Sequence, residues 1–281
     1  MSKTIKVAAI QMVSTPDVAH NLARARHWLQ AAAAQGAQLA ALPEYFCLMG
    51  LQDSDKLGIA ESFQDAAAPI QAMLSQTAAE LGLWLIGGTL PVHAATPARV
   101  RNASCVYAPD GKLAARYDKI HLFRFDNGSE SYDEGRVLEA GEQPTTFVAD
   151  IDGQALKVGL SVCYDLRFPE LYRAMSFADP AQPPCDLFAV PAAFTYITGQ
   201  AHWELLLRAR AVENQAFVIA PAQGGTHQNG RRTWGHSMVI DPWGEVLACL
   251  PEGEGLAMAT LDLERLRSVR QQLPALTHRR L

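Results

Sequence analysis

The chain carries five cysteines, Cys47, Cys105, Cys163, Cys185 and Cys249. The number is odd, so at least one thiol is left unpaired. Cys163 differs from the others in its surroundings. It follows the apolar run KVGLSV and precedes Tyr164, Asp165, Leu166 and Arg167. This places it where a buried strand breaks into a polar turn, ahead of a helix that Pro169 can open at its first position. A thiol on such a turn faces a pocket. Backbone N–H groups of the turn and of the helix start can stabilise a thiolate or an oxyanion. The chemistry that suits such a position is nucleophilic attack. For Cys47, Cys105, Cys185 and Cys249 the expectation is a small buried hydrophobe.

A thiol nucleophile needs a base. No Cys-His signature of the papain kind is present, and Glu44 is the better candidate. It follows the apolar run LAALP, so it lies at the end of a strand, where a carboxylate near the interior can titrate high enough for acid–base work. The same position also suits an exposed loop acid. Lys119, in RYDKIHLF, is flanked by Ile120, Leu122 and Phe123. It can be a fixed positive charge facing a pocket, or a surface lysine that snorkels.

Other chemistries lack their residues. The chain has no G-x-x-x-x-G-K-[ST] loop and no G-x-G-x-x-G after a strand. The segment GHSMV fails the last position of G-x-S-x-G. No C-x-x-C pair occurs and the eight histidines are scattered, so no structural zinc site is expected. Composition narrows the class further. With 281 residues, 49% apolar and 19% charged, the chain is neither disordered nor a disulfide scaffold. A net charge of −5 argues against nucleic acid. The start of the chain lacks the long apolar stretch of a secretory signal, and the apolar run over 81–90 is about half the ~20 residues of a membrane span. The expectation is a cytoplasmic protein without membrane contact, where free thiols are ordinary.

The elements that must position these groups alternate along the chain. Period-two apolar runs predict strands over 6–10, 38–42, 83–89, 187–190, 216–220 and 255–261. Helical spacing predicts helices over 18–35, 66–80 and 200–214, with another from about Asp262. Asp110–Gly111 and Asp152–Gly153 signal hairpins, and DPWG joins the strands of a third. This is a mixed α/β layer architecture, read as a single domain over 1–281.

The motifs LPE, YDKIHLF and GLSVCYDLRFPE, in this order, resemble the nitrilase (carbon–nitrogen hydrolase) superfamily. The likeness runs from VAAIQM at Val7 to PWGEVLA near Ala248. The family's catalytic Glu, Lys and Cys fall on Glu44, Lys119 and Cys163. A second glutamate maps onto Glu134, seven residues before Gly141 of the LEAG turn, with Glu130 as the neighbouring alternative. The resemblance implies a four-layer α-β-β-α sandwich and no metal or organic cofactor. It implies a homodimer formed through the segment after Pro169 and the 200–214 helix, with the tail 273–281 over the partner. It also implies hydrolysis of an amide through a thioester on Cys163, with the oxyanion held by Lys119 and the backbone N–H of Tyr164.

The stretches CYDLRFPELYR, AFTYITGQAHWELLLRARAVENQ and WGHSMVIDPWGEVLA look most like the deaminated glutathione amidase branch. Its substrate is anionic at both ends, which makes Arg167 and Arg173 candidate substrate ligands; ion pairing on a helix surface would explain both equally well. His202 is a further pocket candidate. Trp203 suits the core, and Glu204 with Arg208 suits a structural i,i+4 pair. The ω-amidase branch shares AHWELL and WGHS, and the loop 124–136 departs from the pattern of either branch. A nitrile or N-carbamoyl hydrolase and a non-catalytic binding member are the other readings.

Overall fold

Strands and helices alternate in the computed structural model, which describes residues 4–65, 68–126, 128, 131–177 and 182–280. The first half holds β1 (Thr4–Gln11), α1 (Val18–Ala34), β2 (Leu39–Ala41), α2 (Pro69–Leu81), β3 (Trp84–Ile86), β4 (Leu90–His93), β5 (Val100–Tyr107) and β6 (Leu113–Asp118). A small hairpin follows, β7 (Arg124–Asp126) and β8 (Ser131–Asp133). The second half holds β9 (Thr145–Ile151), β10 (Gln154–Leu160), α3 (Pro169–Phe177), β11 (Leu187–Ala189) and α4 (Tyr196–Asn214). It ends with β12 (Phe217–Ala220), β13 (Ser237–Ile240), β14 (Val246–Leu250), β15 (Gly255–Asp262) and α5 (Leu263–Gln272).

Two sheets result. One has the order β15-β1-β2-β3-β5-β4 with β6 added to β5, and the other the order β14-β13-β12-β11-β10-β9. Each has three parallel strands at its centre, β1-β2-β3 and β10-β11-β12, flanked by antiparallel ones. The alternation along β1 sorts the layers. Ile5, Val7 and Ala9 join Phe147, Val158 and Leu160 of the second sheet in one core. Ala8 and Ile10 face the other way, onto Leu29 of α1 and Leu74 of α2. On the far side of the second sheet, Tyr172 of α3 and Trp203 and Leu207 of α4 belong to the same core as Phe188 and Val218. This is the expected α-β-β-α sandwich. Each fully buried aliphatic or aromatic side chain contributes about 1.5–3 kcal/mol through area removed from water, and that core holds the strand ends in place. Trp84 ties the sheets together directly: its ring stacks on Phe147 at 5.6 Å and its Nε1–H donates to the Asp150 carbonyl at 3.0 Å.

The Asp152–Gly153 hairpin forms with Gln154 opposite Ile151, both turn residues taking positive φ (52° and 74°) as the tight turn requires. Three expectations need correction. The second helix starts at Pro69, not 66, and residues 66 and 67 lie outside the described residues. The helix read from 200 starts at Tyr196. Gly199 lies inside this helix where Trp234 crosses it; a Cβ on Gly199 would lie 2.3 Å from that of Trp234. Cys249 is exposed on β14, the edge strand of the second sheet, whereas Cys47, Cys105 and Cys185 are buried as expected. The tail after α5 lies on its own chain, with Gln215 Nε2 donating to the Leu273 carbonyl at 2.6 Å and Arg279 over the Phe177 ring at 4.4 Å.

Candidate active site

Three strand ends meet. Glu44 follows β2 after Leu42 and Pro43, Lys119 follows β6 directly, and Cys163 follows β10 after Ser161 and Val162. All three are buried, with exposures of 1%, 1% and 7%. Lys119 Nζ donates to Glu44 Oε1 at 2.9 Å and to Glu134 Oε2 and Oε1 at 2.8 and 3.0 Å. The second Glu44 oxygen accepts the Ala193 N–H at 2.9 Å, and Asn102 Nδ2 donates to the first, also at 2.9 Å. Glu134 opens a short 3-10 turn after β8 and accepts from the Tyr45 hydroxyl and the Phe123 N–H, each at 2.7 Å. Glu130, the alternative, lies outside the described residues.

The backbone around these groups is pinned. The Lys119 N–H donates to the Asn102 carbonyl at 3.0 Å, and its own carbonyl accepts the Gly141 N–H at 2.8 Å. Gly141 allows this approach, since a Cβ there would lie 2.1 Å from the Asp118 carbonyl oxygen. Cys163 sits at φ 50°, the left-handed region, and opens the 3-10 turn Cys163–Arg167. For a side-chain-bearing residue this conformation costs on the order of 1–3 kcal/mol and persists only when the surroundings enforce it. Asp165 does so. It has no exposure, and its Oδ2 accepts the Val162 N–H at 2.9 Å and the Tyr117 hydroxyl at 2.7 Å. Its Oδ1 accepts the His121 N–H at 3.0 Å and lies 2.7 Å from His121 Nδ1. One carboxylate thus ties the turn of the thiol to the loop of the lysine.

The electrostatics follow from this packing. Burial pushes the Cys163 thiol well above its ordinary range, the Glu44 charge adds to the push, and Lys119 only partly opposes it. The resting group is a neutral thiol. Burial works against the charge on Lys119, but Glu134 and Glu44 outweigh it and hold the ammonium protonated. Burial likewise opposes the charge on Glu134, and Lys119 outweighs it, holding that carboxyl below its usual range.

The thiol opens into a narrow, nearly closed pocket lined by Phe123, Tyr164, Arg167, Phe194 and Thr195 beside the catalytic candidates. Arg167 lies over the rings of Phe194 and Tyr164, at 5.4 and 5.8 Å, and 3.4 Å from His202 Nδ1. His202 is exposed and touches the pocket wall only through Arg167. Arg173 does not reach the pocket: the helical turn from 173 to 177 sets its guanidinium over the Phe177 ring of the same helix, at 5.8 Å. Trp203 is in the core, and Glu204 pairs with Arg208 at 3.4 Å on the exposed face of α4.

Beside this pocket lies a wider cleft of about 440 Å³, lined by Tyr45, Asp53, Lys56, Tyr132, Asn229 and Arg231. Arg231 lines both cavities. Sequence reasoning missed it, together with Tyr45, Asn102 and Asp165. The NGRRTW segment does signal a turn carrying two adjacent arginines. Only the fold separates them: Arg231 turns inward, while Arg232 pairs with Glu252 at 2.9 Å and covers the Tyr196 ring. Among the described residues, no three His, Cys, Asp or Glu side chains converge as ligands for a metal ion.

Comparison with known proteins places this geometry. The family model for carbon-nitrogen hydrolases matches residues 6–271. A deaminated glutathione amidase of Synechocystis sp. is 40% identical over 280 residues, covering 99% of this chain and 98% of that one. The human omega-amidase NIT2 is 37% identical over 282 residues, covering 99% of this chain and 95% of that one. The crystal structure of Saccharomyces cerevisiae Nit3, a member of branch 10 of the nitrilase superfamily, superposes with a TM-score of 0.86 at 32% identity, covering 100% of this chain and 98% of that one.

Proposed function

Since the chain belongs to the carbon-nitrogen hydrolase family and is an amide-hydrolysing enzyme, we propose that Cys163 is its nucleophile and deaminated glutathione its substrate. Glu44 takes the thiol proton as sulfur attacks the amide carbonyl. The oxyanion is held by Lys119 and the backbone N–H of Tyr164. Glu44 returns the proton to the nitrogen as the C–N bond breaks, releasing Cys-Gly and leaving a thioester on Cys163. Water, deprotonated by Glu44, adds to the thioester carbonyl; the C–S bond breaks, the Cys163 sulfur takes the proton back from Glu44, and 2-oxoglutarate is freed. Glu134 holds Lys119 in position throughout. Arg167, at the pocket wall, takes the carboxylate of the 2-oxo acid end.

One observation carries this reading: Glu44 and the Lys119 ammonium sit 2.9 Å apart beside a buried thiol that is neutral at rest. A neutral thiol needs a base at hand, and a developing oxyanion needs a fixed charge. The alternative reading is an ω-amidase, which acts on the ammonia-releasing amide of the same 2-oxo acid; the human omega-amidase NIT2 is nearly as similar to this chain, at 37% identity. Measurement of kcat/KM decides between them. Deaminated glutathione is expected to be the better substrate, and a ratio favouring 2-oxoglutaramate would replace the assignment.

The enzyme acts as a homodimer in the cytoplasm. Ile197, Leu205 and Val212 of α4 are exposed, with Trp243 and Leu247 of the adjoining β13–β14 hairpin. Apolar side chains gathered in this way mark an interface. Sedimentation at twice 30.5 kDa is expected; a monomer at micromolar concentration would refute the pairing. All five cysteines are free, as suits a reducing compartment.

A further inference from the structure

We infer that the wide cleft beside the thiol pocket is the subsite of the leaving amine, that it takes an amine carrying a carboxylate, and that Arg231 reads that carboxylate. The inference rests on the amidase reading above and assigns the specificity of its departing half.

The first argument is charge. Lys119 is paired with two carboxylates, Glu44 and Glu134, and Lys56 in the cleft pairs with Asp53 at 3.0 Å while lying over the Tyr45 ring at 4.6 Å. Arg231 has no such partner. Among the described residues its guanidinium meets no carboxylate: Nη2 donates to the Ala193 carbonyl at 3.0 Å, the group lies over the Tyr132 ring at 5.1 Å, and the buried Nε has no acceptor. Glu44 acts on this guanidinium only through space, so it has no hydrogen-bonded counter-charge, and a carboxylate ligand would supply one. Of the two cations that line the cleft, Arg231 is the one left without an ion pair among the described residues.

The second argument is place. Arg231 borders both cavities, and its Nη2 is bonded to the carbonyl of the same Ala193 whose N–H binds Glu44. Tyr45 stands in the partition, with its hydroxyl on Glu134 at 2.7 Å. A substrate whose carbonyl carbon meets Cys163 in the narrow pocket can pass its nitrogen substituent over this partition into the cleft. The third argument is room. A cleft of about 440 Å³ leaves far more space on the leaving side than ammonia needs. Tyr132 of β8, in the loop that departs from the pattern of both branches, forms part of the wall. The departure thus falls where the leaving group would be read.

The test compares three amides of the same 2-oxo acid: deaminated glutathione, its analogue with the C-terminal carboxylate capped as an amide, and 2-oxoglutaramate. The unaltered enzyme is expected to prefer the free carboxylate over the capped analogue by about 10- to 100-fold in kcat/KM, the scale of losing a charged hydrogen-bond partner. Arg231→Gln should erase that preference, and Arg231→Lys should restore part of it. A merely structural role for Arg231 would depress all three substrates alike and leave the ratios standing. Equal rates on the free and capped substrates, or ratios that survive Arg231→Gln, would overturn the inference while the amidase reading stands. Failure of the unaltered enzyme on all three substrates would sink the amidase reading itself, and this inference with it.

Discussion

Cys105 and Cys163 are both interior thiols, yet they lie in regions of different construction. Cys105 sits on β5 in the apolar layer between the first sheet and the helices α1 and α2. Cys163 sits where the two sheets end together. Burial pushes the Cys105 thiol up to about 12, and Cys47 behind the same sheet likewise. Burial pushes Cys163 up as well. Acidity therefore does not separate the proposed nucleophile from the other buried thiols. What separates them is company: Cys163 stands in the field of Glu44, Lys119 and Glu134. On the proposed reading, reactivity is arranged as a neutral thiol with a base and a fixed cation in reach, not as a standing thiolate.

The comparison can be broken in steps of decreasing size. Cys163→Ala should lower amide turnover by on the order of 10⁴-fold or more, with the circular dichroism spectrum intact. Glu44→Gln, which keeps the shape but removes the base, should cost about 10²- to 10⁴-fold in kcat. A Glu44→Gln enzyme with unimpaired kcat would mean that another group takes the thiol proton. In the apolar layer the expected effects are on stability alone. The folded pKa of Cys105 is raised to about 12, against about 8.5 for a free thiol. The folded chain keeps a proton that the unfolded chain releases, so this stabilisation is complete below about pH 8.5 and is lost as pH rises toward 12. Urea unfolding at pH 8 and pH 10 should show that fall, and Cys105→Ala should remove on the order of 1–2 kcal/mol of it. At pH 7 the same substitution should cost only about 1 kcal/mol, for the cavity it leaves, with kcat/KM within about twofold of the unaltered enzyme. A large loss of activity in Cys105→Ala would dissolve the distinction between the two regions.

What was legible in the sequence was local. The break from KVGLSV into CYDLRFP marks both the end of β10 and the start of α3, because apolar alternation and a proline leave little choice. Glu44 and Lys119 stand at strand ends for the same reason, and the resemblance supplied their order. What could not be read was long-range. Asp165 reads as one more polar residue of a turn, although it holds Tyr117 of β6, in the other sheet, and His121 of the loop after it. Arg231 and Arg232 are indistinguishable until a tertiary frame gives each a side. The helix read from 200 starts at Tyr196, and Trp234, which packs against Gly199 in its first turn, arrives from another part of the chain. Cys249 reads as core because an edge strand shows the same apolar alternation as a central one.

The Asp165 carboxylate has a consequence for how the enzyme comes into being. Its partners, Val162 after β10 and Tyr117 on β6, belong to different sheets. The turn that holds the thiol thus receives its last hydrogen bonds only when the two sheets dock face to face. The candidate centre is then not carried by either sheet alone: Cys163 stands at the end of one sheet, and Glu44 and Lys119 at the end of the other. Activity and native structure arise together.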